Sequence, residues 1–316
     1  MGVSRTKYPT FFNMNSSKGI TNAIGGHVTE FGGYRIHTFL NDYMLDSNSI
    51  NFTRTGDIEV LIVAGGGSGG MHNTTNANGG GGAGGLYTGT MNITALGIYN
   101  ITVGDKGYGI TRLGTSQGSD GSPSIFNSIT VPGGGGGGAN GTTLSGRSGG
   151  SGGGGAYSGA GGAATSSGTG FYGNAGGGSN QTWTGGGGGG AGSAGVAGNG
   201  GVAPAGNGGQ GLSSTITGTV KYYAGGGGGG GNSSERAGDG YHGGGRGFGT
   251  TTQYGYTSYP REVNATTLGY GTLNAVPNTG AGGGGGSYWG TNGNWPSGSG
   301  DGASGIVIIR YPYTTT

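Results

Sequence analysis

Short apolar stretches lie toward both ends of the chain, and long runs with no side chains at all lie between them. The segment YRIHTF at 34–39 alternates in character, with Ile36 and the aromatic residues as packing positions, and predicts a half-buried strand. IEVLIVA at 58–64 is apolar at every position from Val60 onward, the pattern of a strand buried on both faces. Tyr99, Ile101 and Val103 alternate with Asn100 and Thr102, which predicts another half-buried strand. Brief apolar pieces follow at 125–126, 129–131 and 220–224, and GIVIIRYP at 305–312 closes the chain with a second doubly buried pattern. Leu, Ala, Glu and Lys never cluster at helical spacing, so essentially no α-helix is expected.

The two most apolar strands, near residues 60 and 307, stand at opposite ends of the glycine region. A short strand is unstable without a partner. Their pairing with each other predicts a small β-sheet base made by the N- and C-terminal strands.

Most of these stretches run straight into glycine. Glycine accounts for 94 of 316 residues, in tracts at 65–67, 79–82, 133–138, 152–155, 185–190, 225–231 and 282–286. Glycine loses the most backbone entropy on folding and offers no side chain to bury, so such tracts tend to disorder unless the backbone itself is held. Collagen is excluded because the glycines come in blocks and proline totals only 8. A Gly/Ser linker is excluded by the apolar stretches between the tracts. What remains is the extended threefold polyglycine II helix, which has no internal hydrogen bonds and must bond to neighbouring chains. The expected fold is all-β and irregular, with the sheet base supporting packed rods and loops, and with little conventional hydrophobic interior because hydrophobic residues are only 30% of the chain. The expected organisation is an arm over 1–18 for docking or assembly, then one glycine-rich domain over 19–316. Within it lie a β leader (19–64), a polyglycine core with loops (65–304) and a closing strand (305–312).

Cysteine is absent, which excludes disulfides and thiolate metal sites. A formal net charge of +2 with 8% charged residues steers toward neither nucleic acid nor anionic membrane. No secretory signal and no apolar run near 18 residues is seen, so no membrane insertion is expected. Glycine motifs such as Gly66-Gly67-Ser68-Gly69-Gly70 are compositional in this background. His27, His37, His72 and His242 lack metal-ligand spacing, and the Asp-Gly steps at Asp120, Asp239 and Asp301 read as turns before they read as calcium ligands. No catalytic constellation is visible, so the expectation is a non-enzymatic protein without a cofactor. The nine Asn-x-Ser/Thr triplets (Asn15, Asn51, Asn73, Asn92, Asn100, Asn140, Asn180, Asn232, Asn264) accord with a chain rich in Ser and Thr.

Several strings follow one another along the chain: GYRIHTF at 33–39, IEVLIVAGGG at 58–67, GGGGAGGLY at 79–87, YNITVG at 99–104, SITVPGGGGGG at 128–138, ITGTVKYYAGGGGGG at 216–230, Asn278-Thr279-Gly280 and GIVIIRYP at 305–312. Together they resemble the glycine-rich polyglycine-sandwich domain of bacteriophage tail-fibre tips and related virion surface proteins. The resemblance implies a virion-surface or extracellular adhesin whose loops between rods touch a host receptor, protein or glycan. A tyrosine-rich insertion at 246–277 departs from the compact pattern, and no long shaft accompanies the domain, which fits a small tip protein or a repeated surface subunit.

Aromatic residues between the tracts are the candidate contacts. Tyr172, Trp183, Tyr241, Tyr254, Tyr256, Tyr259, Tyr270, Tyr288, Trp289 and Trp295 are interleaved with Asn, Ser and Thr, as in loop-built recognition surfaces. The competing expectation is that they cap rod ends or, with the 1–18 arm, join copies of the chain or other virion proteins into a filament.

Overall fold

The structure is a computed structural model and describes residues 21–41, 48–72, 77–110, 115–141, 143–180, 183–200, 204–231, 237–248, 273–286 and 298–313. The strands in chain order are β1 (Asn22–Ile24), β2 (His27–Phe31), β3 (Tyr34–Leu40), β4 (Ser49–Arg54) and β5 (Gly56–Val63). Then come β6 (Leu86–Ile93), β7 (Gly97–Thr102), β8 (Ser124–Phe126), β9 (Ile129–Val131) and β10 (Phe171–Tyr172). The last three are β11 (Leu212–Ser214), β12 (Lys221–Tyr223) and β13 (Ile306–Pro312). No helix occurs among the described residues.

The strands form a six-stranded sheet in the order β10-β6-β5-β13-β3-β2, a five-stranded sheet in the order β1-β4-β7-β8-β9, and the β11-β12 hairpin. The expected pairing of the two apolar strands is present: β13 lies antiparallel to β5, with Ile306 opposite Val63 and Ile309 opposite Val60. On its other side β13 pairs with β3, so the closing strand is central in its sheet. Both faces of these strands are covered. On one face Phe39, Val60, Ile62, Val307 and Ile309 meet Ile50, Phe52, Phe126 and Val131 of the five-stranded sheet. On the other, Ile36, Leu61, Val63 and Ile308 meet Ile216, Tyr223 and the rod alanines Ala83, Ala191 and Ala224. The interior at this end is therefore a conventional sandwich core, larger than composition alone implies. The apolar residues are few but concentrated in strands that pack on both sides.

A buried polar triad closes the sandwich. His37 Nδ1 donates to the Gly25 carbonyl at 2.7 Å, which leaves Nε2 to accept from the Tyr311 hydroxyl at 2.9 Å, and that hydroxyl accepts from the Ala23 amide at 2.9 Å. Burial, aided by the Arg35 charge and opposed by the Gly25 bond, holds the His37 pKa below its ordinary value. A folded pKa lowered in this way gives stability that is fully present above the unfolded value near 6.5 and is lost as pH falls through the folded one. The melting temperature is therefore expected to fall as pH drops from 7 toward 5. His37→Phe should lower stability at pH 7 yet flatten that dependence; an unchanged slope in the variant would assign the effect elsewhere.

Beyond the strand ends the chain becomes rods, and their bonds show the threefold repeat directly. In the rod at 79–85 the amides of Gly79, Gly82 and Gly85 donate to Gly138, Gly135 and Pro132; those of Gly80 and Ala83 donate to Gly186 and Gly189; those of Gly81 and Gly84 donate to Gly283 and Gly280. Each step of three returns to the same neighbour, as a three-residue helical turn requires. The carbonyls of the same rod accept from the stretches 64–70 and 151–154 and from Gly227, and Asn78 just before the rod accepts from Gly230. The rod is thus enclosed on every side, and the rods at 185–190 and 225–231 are enclosed in the same way and bond to it and to each other. These three form the centre of a hexagonal lattice that satisfies the backbone of the tracts without side chains.

Candidate functional site

The lattice has two ends. At one, Ala64, Gly85, Ala224 and Gly305 join the rods to the sandwich strands β5, β6, β12 and β13. The other end is marked by residues furthest from those junctions: Gly70 bonded to Gly79, Gly138 to Gly79, Gly230 to Asn78 and Gly286 to Gly70. It is closed by buried polar side chains. Asn78 donates through Nδ2 to the Gly286 carbonyl at 2.7 Å and accepts the Asn140 amide on Oδ1 at 3.1 Å. Ser179 Oγ donates to the Thr184 carbonyl at 2.6 Å, and Thr184 Oγ1 accepts the Gly200 amide at 2.8 Å. Sequence reasoning missed these caps. Their signal was available, because Asn78 and Thr184 each stand immediately before a glycine tract.

The aromatic candidates divide between the two ends. Trp183, 43% exposed, sits at the far end beside Thr184, which bridges to Gly231. Tyr172 lies at the sandwich end, in β10 opposite Leu86 at the edge of the six-stranded sheet, where it is exposed. Tyr241 is also at that end: its amide donates to Gly226, close to the β12 junction. Its hydroxyl accepts from Asn207 Nδ2 at 3.4 Å. Tyr254, Tyr256, Tyr259, Tyr270, Tyr288, Trp289 and Trp295 fall outside the described residues.

Next to Tyr241 stands a ring pair that the sequence reading did not single out. Tyr222 of β12 and His242 stack at 4.0 Å between centroids with planes 5° apart. His242 takes a positive φ of 45° and accepts the Gly211 amide on Nδ1 at 3.0 Å. Burial lowers its pKa, and burial pushes the neighbouring Tyr223 up to about 12, so both stay neutral near pH 7. The alternation of β12 explains the arrangement, with Tyr223 pointing into the core and Tyr222 outward.

The Asp-Gly steps are held by donors. Asp120 accepts the Gly136 amide and Arg147 Nε, both at 2.9 Å, Asp239 pairs with Arg246 at 3.2 Å, and Asp301 accepts Lys106 Nζ at 2.6 Å and the Gly109 amide at 2.7 Å. Among the described residues no group of three or more His, Cys, Asp or Glu could hold a metal ion. The sheets and rods together thus present hydrogen-bonding and aromatic groups at two opposite ends, separated by a backbone-bonded body.

No curated protein matches the chain. The family model described as a glycine-rich domain matches residues 46–312. That span runs from just before β4 to the last residue of β13 and takes in every rod, so the chain belongs to the glycine-rich domain family.

Proposed function

We propose that this protein is a non-enzymatic surface-attachment protein of a virus, a receptor-binding tip whose polyglycine lattice holds recognition loops against a host-cell protein or glycan. One observation carries the reading. The rods at 79–85, 185–190 and 225–231 are held to their neighbours by backbone groups, and Trp183 stands exposed at the far end of that lattice beside the buried caps Asn78 and Thr184. In sequence, 249–272 and 287–297 carry Tyr254, Tyr256, Tyr259, Tyr270, Tyr288, Trp289 and Trp295. A backbone-bonded body suits recognition, because residues between the tracts can change without disturbing the bonds that hold the rods.

Exchange of residues 249–272 for an unrelated loop of equal length tests this. The neighbouring Phe248 and Ala275 amides are bonded into the lattice, to Gly285 and Asp301, and stay in place. Labelled protein is expected to lose or change its binding across a panel of bacterial cells while its melting temperature holds. A panel bound identically before and after the exchange refutes the reading.

The structure also gives a specific reason for a second reading, a self-assembling subunit of a virion surface or extracellular filament. Tyr172 and Tyr241 lie at the sandwich end, away from Trp183, where contacts between copies or with other virion proteins would use them.

A further inference from the structure

Strand β2 is the outermost strand of the six-stranded sheet and is exposed along its whole length. It is joined to β3 through the two-residue turn Gly32-Gly33, whose φ values of 59° and 80° are those of a type I′ hairpin. In such a hairpin the closing pair, Phe31 and Tyr34, is hydrogen-bonded, and bonded and non-bonded pairs alternate from there. Thr29 opposite Ile36 is therefore bonded, while Val28 opposite His37 and Glu30 opposite Arg35 are not. Val28 and Glu30 turn their N–H and C=O groups outward, to the open edge. Among the described residues no other strand pairs with this edge, and β2 contains no proline, no lysine and no bulge, with an unbroken register to β3.

We propose that two copies of this chain pair through β2, edge to edge and antiparallel, about a twofold axis through Thr29. The register is self-complementary. With Thr29 opposite Thr29 of the partner subunit, Val28 falls opposite the partner's Glu30, and both are outward-facing residues able to exchange N–H···O=C bonds. The threonines then form the close, non-bonded pair, an arrangement favourable for Thr–Thr contacts. No like charges oppose each other, since Glu30 meets valine and is already neutralised by Arg35 at 2.8 Å. The apolar side chains also fit. Val28 is 44% and Phe31 57% exposed, and the Thr29 face continues into a groove of about 210 Å³ lined by Phe31, Tyr34, Ile36, Thr215, Gly218 and Arg310. In the paired state Phe31 stands opposite the partner's His27. The pairing is isologous, so it closes as a dimer and does not propagate. It is independent of whether the far end binds a receptor.

Light scattering on the full chain decides the matter. At about 0.1 mM, where a micromolar dimer is almost saturated, the expected mass is twice the 30.3 kDa of the chain. Val28→Pro removes an outward N–H that β3 does not use, so it is expected to yield a monomer with little change in melting temperature. Thr29→Lys and Thr29→Glu each place like charges across the axis and are expected to be monomeric alone, while an equimolar mixture recovers the dimer. A wild-type monomer overturns the proposal, and slow exchange of the Val28 and Glu30 amides in that monomer would show the edge covered by another stretch of the same chain. A dimer that persists in Val28→Pro and in both Thr29 variants forms elsewhere and equally overturns it.

Discussion

Replacing Gly81 by alanine is expected to lower stability by about 4 kcal/mol or more, a loss at the extreme of single substitutions. A Cβ built on Gly81 falls 2.1 Å from the Gly67 carbonyl oxygen and 2.7 Å from its carbon, where real Cβ contacts begin near 3.0 Å. The obstruction is backbone, so no rotamer relieves it. Moving the 65–67 stretch aside breaks the Gly67 amide bond to Gly82 and the bond that the Gly67 carbonyl accepts from Gly283. Moving the 79–85 rod instead breaks the bond from Gly81 to Gly283 and the one that Gly81 accepts from Gly227. Each buried group left without a partner costs about 1–3 kcal/mol, and either route strands several at once. For a chain of this size the melting temperature should fall by roughly 10 °C or the protein should fail to accumulate folded. Gly178→Ala is the matched control. There the nearest atom to a new Cβ is the Gly159 oxygen at 3.3 Å, φ is not positive and the site is half-exposed. Its expected change is within about 1 kcal/mol of zero, since alanine also restrains the unfolded chain. A Gly81→Ala protein that melts within about 2 °C of the wild type would mean that the rods tolerate side chains and that the lattice is not what holds them.

The contrast between these two glycines shows what the sequence discloses and what it hides. The strands at 58–64 and 305–312 announce themselves because they are apolar on both faces, and their pairing follows. Strand β6 does not: in LYTGTMNI two threonines, an asparagine and a glycine interrupt the apolar residues and only Leu86 and Ile93 are buried, yet it pairs with β5 along its whole length. The tracts announce rods, but nothing in a tract says which rod lies beside it, because glycine has no side chain with which to encode a neighbour. Neighbours are set by where the strands release the chain and by caps such as Asn78 and Thr184. The same reversals of direction separate Trp183 from Tyr172 and Tyr241. Spacing along the chain does not tell which end of the lattice a residue between two tracts will reach.

Arg310→Met is expected to cost about 3–5 kcal/mol, the penalty for leaving a largely buried charge without its partner. Arg310 lies opposite Glu59 across β13 and β5, and its guanidinium reaches Glu59 Oε2 through Nη2 at 2.7 Å and Nε at 3.0 Å. Its side chain is only 8% exposed, and it rests on the Tyr34 ring at 4.6 Å. Through Nη1 it also donates to the Thr215 carbonyl at 3.1 Å, in the turn that joins β11 to β12. One cation thus ties the hairpin that carries Tyr222 and Tyr223 to the middle of the six-stranded sheet. Methionine fills the volume but leaves the Glu59 carboxylate without the guanidinium and removes a donor from the Thr215 and Ile216 carbonyls, the first of which keeps the Gly218 amide. Adding Glu59→Leu removes the stranded carboxylate, so the double variant should be more stable than Arg310→Met alone by about 1–3 kcal/mol. Chemical denaturation of both single variants and the double measures that coupling. Strictly additive losses would show that the pair contributes nothing beyond its separate packing. Strong coupling with residual destabilisation in the double variant would locate the remainder in the lost bonds from Arg310 to the Thr215 and Ile216 carbonyls. In that case the Tyr222–His242 stack should loosen as well, because the hairpin that positions Tyr222 would have lost its attachment to β13 while His242 stays with the rods.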